Sequence, residues 1–130
     1  MTSAEELQER AKAGLSKFVE ITVADDGSLG FDYGGALCSL RAVTLSPGLD
    51  VLALTCVLAW DRPLHGLAKR IIDRNHALQF GSITMIGHGN LADVLLRYTF
   101  PATGLEEEAL TTMLLLVLSG ADNSRKGLAP

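Results

Sequence analysis

The sequence predicts an α+β domain whose elements run α-β-β-β-α-β-β-α, an antiparallel sheet with helices. Three observations lead there. Ser46-Pro47-Gly48 and Gly87-His88-Gly89-Asn90 are tight-turn signals set between apolar runs, so each marks a hairpin. Three further segments repeat apolar residues at helical spacing behind helix-start signals. Finally, 130 residues that are 48% hydrophobic and 20% charged suit one domain with a single core. The domain is taken as residues 1–130, with an ordered part of about 3–122.

In chain order, residues 3–19 read as the first helix, with Ser3 and Glu6 as a capping box and Leu7, Ala11, Leu15 and Phe18 on one stripe. Asp25-Asp26-Gly27 is a turn, after which Leu29, Phe31 and Tyr33 alternate as in a half-buried strand. Two strands then flank Pro47-Gly48. The second, Val51 to Leu58, is apolar on both faces, with Val51, Ala53 and Val57 on one and Leu52, Leu54, Cys56 and Leu58 on the other. Such a strand is expected to be covered on both sides. Pro63 suits the first turn of a middle helix, residues 63–77. Its stripe of Leu64, Leu67, Ala68, Ile71 and Leu78 opposes Arg62, His65, Lys69, Asp73 and His76. The second hairpin pairs Ser82–Ile86 with Ala92–Phe100, Pro101 ends it, and Thr103 with Glu106 makes a capping box for the last helix. The tail from Asn123 to Pro130 is expected to fray. Hairpin-then-helix thus occurs twice, without a residue-level repeat.

The last helix contains Met113-Leu114-Leu115-Leu116-Val117-Leu118, more apolar residues than one stripe requires. On a wheel of 100° per residue, Ala109, Leu110, Met113, Leu114, Leu116, Val117 and Leu118 share one arc. Leu115 alone falls on the polar side, which makes it the expected exposed residue and the candidate partner contact.

Several functions lack a basis in the sequence. A net charge of −4 and 5% aromatics oppose contact with phosphate backbones and stacked bases, so no nucleic-acid partner is expected. No run has the length of a membrane span, and the polar start does not read as a signal peptide, so a cytoplasmic location is expected and no membrane contact. Three histidines without ligand spacing give no metal site, and no cofactor is expected. Gly87-His88-Gly89 joins strands instead of leading into a helix, so it is not a phosphate loop. No nucleophile motif surrounds any serine, and neither Cys38 nor Cys56 has a sequence-local activating group, so an enzyme is not expected. The two cysteines lie in neighbouring strands. A bridge depends on their register, while a reducing compartment favours free thiols. The basic cluster Arg62, Lys69, Arg70 and Arg74 reads first as a solvated helix face and second as a surface that steers an acidic partner.

The stretches DDGSLGFDYGG, LRAVTLSPGLDVLALTCVLAWD and LRYTFPATGLEEEALTTMLLLVLSGAD, with the order of elements, resemble the type III secretion chaperone-like and YbjN-like superfamily. The resemblance spans about Ser3 to Asp122. It implies a small acidic bacterial α+β domain, commonly dimeric, that binds a polypeptide client and holds an extended segment of it. No set of client-binding residues carries over. The alternative is a regulatory dimer resembling the roadblock type, which acts on small GTPases; its order places two strands before the middle helix and three after. A homodimer is expected through Leu64, Leu67, Ala68, Ile71 and Ile72, because one amphipathic stripe can serve both copies.

Overall fold

The computed structural model describes residues 1–128; Ala129 and Pro130, the end of the tail expected to fray, lie outside the described residues. Its elements are α1 (Ser3–Leu15), β1 (Thr22–Val23), β2 (Leu29–Tyr33), β3 (Ala36–Ser46), β4 (Leu49–Pro63), α2 (Leu67–Ala77), β5 (Ser82–His88), β6 (Leu91–Pro101) and α3 (Glu107–Arg125). The α+β class and the order of the main elements are those expected. The addition is β1, two residues that pair with β2 through Thr22–Gly30 and Val23–Leu29. A strand that short carries no alternation to read.

The six strands form one antiparallel sheet in the order β1-β2-β3-β4-β6-β5. Register aligns the apolar side chains in rows across it. Phe31, Cys38, Cys56, Leu96 and Ile83 make one row; Leu29, Leu40, Leu54 and Tyr98 make the next. All three helices lie against this one face. Leu7, Ala11 and Leu15 of α1, Leu67 and Ile71 of α2, and Leu110, Leu114, Val117, Leu118 and Ala121 of α3 join the sheet residues in a single core. Fully burying each leucine removes enough apolar surface to stabilise the fold by about 1.5–3 kcal/mol.

The turn between β2 and β3 shows why that hairpin is tight. Gly34 and Gly35 both have positive φ, 58° and 89°, as a two-residue turn matching strand twist demands. A Cβ on Gly34 would also strike the Asp122 carboxylate, so the turn sits directly against α3.

Several helix ends differ from the sequence reading. The capping box of α1 uses Thr2 and Glu5: Glu5 N–H donates to Thr2 Oγ1 at 3.1 Å, and Thr2 N–H donates to Glu5 Oε1 at 3.3 Å. The helix closes at Leu15, leaving Phe18 exposed. Pro63 ends β4 instead of starting α2, because the strand continues past a bulge, and α2 begins after Gly66 in the left-handed region. Thr103 does not cap α3, whose N-cap is Glu106. Its hydroxyl accepts from Asp50 N–H at 2.7 Å and so ties the β6–α3 loop to β4.

The tail is also more ordered than expected. α3 continues to Arg125, and Leu128 is buried in the core. The basic cluster of α2 explains this. Arg74 Nε donates to Ser124 O at 2.8 Å and its Nη2 to Lys126 O at 2.7 Å, while Arg70 Nη1 donates to Gly127 O at 3.3 Å. These guanidinium groups satisfy carbonyls at the C-terminal end of α3, where a helix favours positive charge. Neither of the two readings of the cluster anticipated that role.

Candidate functional site

One-sided coverage leaves the other sheet face without helices. Alternation and register place Leu37, Ser39, Arg41, Val43 and Leu45 of β3 there, with Val51, Ala53, Thr55 and Val57 of β4 and Asp93, Leu95, Arg97 and Thr99 of β6. Leu37, Val57 and Leu95 form an apolar row between Asp32 and Thr84. Leu45 is 63% exposed, Leu37 51% and Trp60 55%. Val51 and Leu95 are buried yet lie outside the core cluster, because cross-strand neighbours crowd them on the uncovered face. The expectation that β4 is covered on both sides therefore holds for one side only. Neighbouring side chains partly shield the apolar residues of the other side, and no helix among the described residues does. Among the described residues neither Arg41 nor Arg97 of this face has an ion-pair partner.

The free edge of the sheet is guarded. Asn75 of α2 reaches β5 with both ends of its carboxamide: Oδ1 accepts from Ile83 N–H at 2.8 Å, and Nδ2 donates to Ile83 O at 3.0 Å. It takes the place a peptide group of an added strand would take. Gln8 does the same at the far end of β3, accepting from Ala42 N–H at 2.9 Å and donating to Gly27 O at 2.7 Å. Beyond Ile83, strand alternation turns the backbone groups of Met85 and Gly87 outward as well.

At one corner of the uncovered face, three side chains from separate segments converge. His88 Nε2 lies 3.1 Å from Asp93 Oδ1 and 3.2 Å from Asp61 Oδ1. Asp61 is the extra residue of a bulge between Ala59 and Arg62, with φ of 51°, and its N–H donates to Asp93 Oδ1 at 2.9 Å. The hydrogen bond and charge of Asp93, with the charge of Asp61, raise the His88 pKa above its ordinary value. The Asp61 N–H and then the His88 ring lower that of Asp93. This is the group of three metal-ligating side chains among the described residues whose donor atoms fall within 4.8 Å of one another. The sequence carries no signal for it, because a bulge and a hairpin turn bring the residues together.

Of the residues expected at a dimer interface, Leu67 and Ile71 face the chain's own core, whereas Leu64, Ala68 and Ile72 remain exposed. The last helix differs from the wheel by one position. Leu116 is exposed, while Leu115 is half-buried and lines a groove with Lys17 and Phe18. α1 packs beside α3 and covers part of the arc assigned to solvent: a Cβ on Gly14 would strike Thr111, and Lys17 pairs with Glu107 at 3.0 Å.

The cysteines stand directly opposite each other in the β3–β4 register, both free and both buried in the core. A hydrogen bond from the Cys56 thiol to Cys38, followed by burial, pushes the Cys56 pKa up, opposite to what a nucleophilic thiol needs.

A six-stranded antiparallel sheet with three helices on one face and strand edges guarded by carboxamides defines a small α+β domain whose other face is free. No protein-family model matches the chain, and no curated protein matches it. Among solved structures it is similar to YbjN of E. coli, for which a role as transcription regulator has been suggested. The match has a TM-score of 0.64 at 10% identity and covers 90% of this chain and 87% of that one. The chain thus shares the fold of YbjN, as its element order and quoted stretches led one to expect. The roadblock order is not found, since four strands precede α2 and two follow it.

Proposed function

We propose that this protein is a non-enzymatic polypeptide-binding module that receives an extended client segment on its uncovered sheet face. The observation that carries the reading is the one-sided packing, which leaves Leu37 of the Leu37–Val57–Leu95 row exposed, with Trp60 further along β4 and Leu45 at the far end of β3. Unpaired Arg41 and Arg97 beside that row suit a client with carboxylates between its apolar side chains. A net charge of −4 opposes a nucleic-acid partner. No helix among the described residues is long and apolar enough to cross a membrane, and the reading places the protein in the cytoplasm. The fold supports this reading as an architecture shared with YbjN; the client comes from the chemistry of the face.

Site-specific photo-crosslinking tests it. A crosslinker at Leu37 or Thr55 is expected to capture polypeptide, and one at Ser119 on the outer side of α3 is not. Equal capture at all three positions, or capture at Ser119 alone, would remove the proposed face. Trp60 is the sole tryptophan, so its emission is expected to shift to the blue when a captured segment is added back as a peptide.

The same reading includes a homodimer through the outer side of α2, where Leu64, Ala68 and Ile72 are exposed. Ile72→Asp is expected to leave a folded monomer, because Ile72 is not part of the core. Ile71→Asp is expected to unfold the chain, because it would bury an unpaired charge. Light scattering after size exclusion reads the mass; a wild-type mass of one chain at tens of micromolar would refute the dimer.

A further inference from the structure

We infer that Asp61, His88 and Asp93 form a binding site for a divalent transition-metal ion of the zinc class. The spacing is the first argument. Two ligands on such an ion, with bonds of about 2.0–2.2 Å, lie roughly 3.0–3.5 Å apart. His88 Nε2 stands 3.1 Å from one carboxylate oxygen and 3.2 Å from the other, so an ion can replace the shared proton with small side-chain movements.

Charge is the second argument. Two carboxylates meet one imidazole, and among the described residues no lysine or arginine pairs with either acid. The two carboxylates supply the negative charge that a divalent cation matches. The third argument is how the donors are held. Asp93 projects from β6, His88 ends β5, and the bulge in β4 sets Asp61 in the left-handed region with its N–H bound to Asp93. All three therefore stand on paired strands instead of a loose loop.

The donor set selects the ion. An imidazole nitrogen suits zinc and its transition-metal neighbours, while magnesium and calcium prefer oxygen alone. Three protein ligands leave a coordination position for water or for a donor atom of a bound molecule. The site lies at the edge of the uncovered face, next in sequence to Trp60, so an ion there would adjoin a molecule seated on that face.

Isothermal titration with zinc chloride at about pH 8, above the ordinary imidazole pKa, decides the matter. The expected result is saturable binding of one zinc per chain, and none of magnesium. His88→Ala and Asp93→Asn are each expected to abolish it, while His76→Ala leaves it intact. Asp61→Asn, at an exposed position, gives a variant for which folding is not at risk and should weaken binding. Far-UV circular dichroism establishes that each variant is folded. In NMR spectra of the wild type, the His88 ring signals are expected to shift on zinc addition while those of His65 and His76 stay put. No saturable heat with the wild type, unchanged binding in folded His88→Ala and Asp93→Asn, or equal binding of magnesium would each overturn the assignment.

Discussion

Replacing Asn75 by alanine removes both hydrogen bonds that hold α2 to the edge of β5, at 2.8 and 3.0 Å. Each is worth about 0.5–1.5 kcal/mol net, so the pair amounts to roughly 1–3 kcal/mol. The contribution falls near the low end if water reaches the Ile83 backbone once the carboxamide is gone. It falls near the high end if α2 keeps that backbone half-buried, since its outward N–H and C=O would then lack partners. Urea denaturation should show a lower midpoint with an unchanged slope, because the surface exposed on unfolding is the same. Hydrogen exchange gives a local reading. The Ile83 amide is expected to lose protection in Asn75→Ala, while the Leu54 amide, on a central strand, keeps it apart from the global change. The variant should also self-associate more readily, because a third outward position joins Met85 and Gly87 on an edge without charge or proline before His88. A stability change within about 0.5 kcal/mol, as for ordinary surface substitutions, together with unchanged protection at Ile83 would refute the edge-guard account.

Leu114→Ala should cost about 2–5 kcal/mol in chemical denaturation, as buried leucines do. Leu116→Gln should stay within about 0.5 kcal/mol, which checks that the polar arc of α3 is centred nearer Leu116 than Leu115. Cys38 and Cys56 should react with a thiol reagent only as fast as the protein opens, and two equivalents should appear at once in denaturant; prompt labelling of the native protein would contradict their burial. The raised pKa of His88 means that its pairing with Asp93 and Asp61 is complete below the ordinary imidazole pKa. That stabilisation is lost as pH rises through the higher, folded-state value. An NMR titration should therefore place the His88 midpoint above those found in Asp93→Asn and Asp61→Asn.

Local chemistry in the sequence determined the class, the order of the main elements and most of the core. Alternation in β3, β4 and β6 identified the strands, because a period of two is set by the backbone alone. Turn glycines identified the hairpins for a similarly local reason. Helix starts were displaced: Thr2 took the capping role assigned to Ser3, and α3 starts after Glu106 without a side-chain cap, because Thr103 is bound to Asp50. The tertiary structure alone decided which face of the sheet the helices share. An amphipathic stripe states that a helix must be covered and leaves the covering surface open, so the α2 stripe was expected at a dimer seam. It joined the common core through Leu67 and Ile71. Packing of α1 beside α3 likewise moved the exposed position from Leu115 to Leu116. The site residues were the least legible. Register aligns Leu37, Val57 and Leu95 from three strands, and a bulge at Asp61 brings it to His88 and Asp93. Such juxtapositions depend on pairing between distant segments, and no local pattern records them.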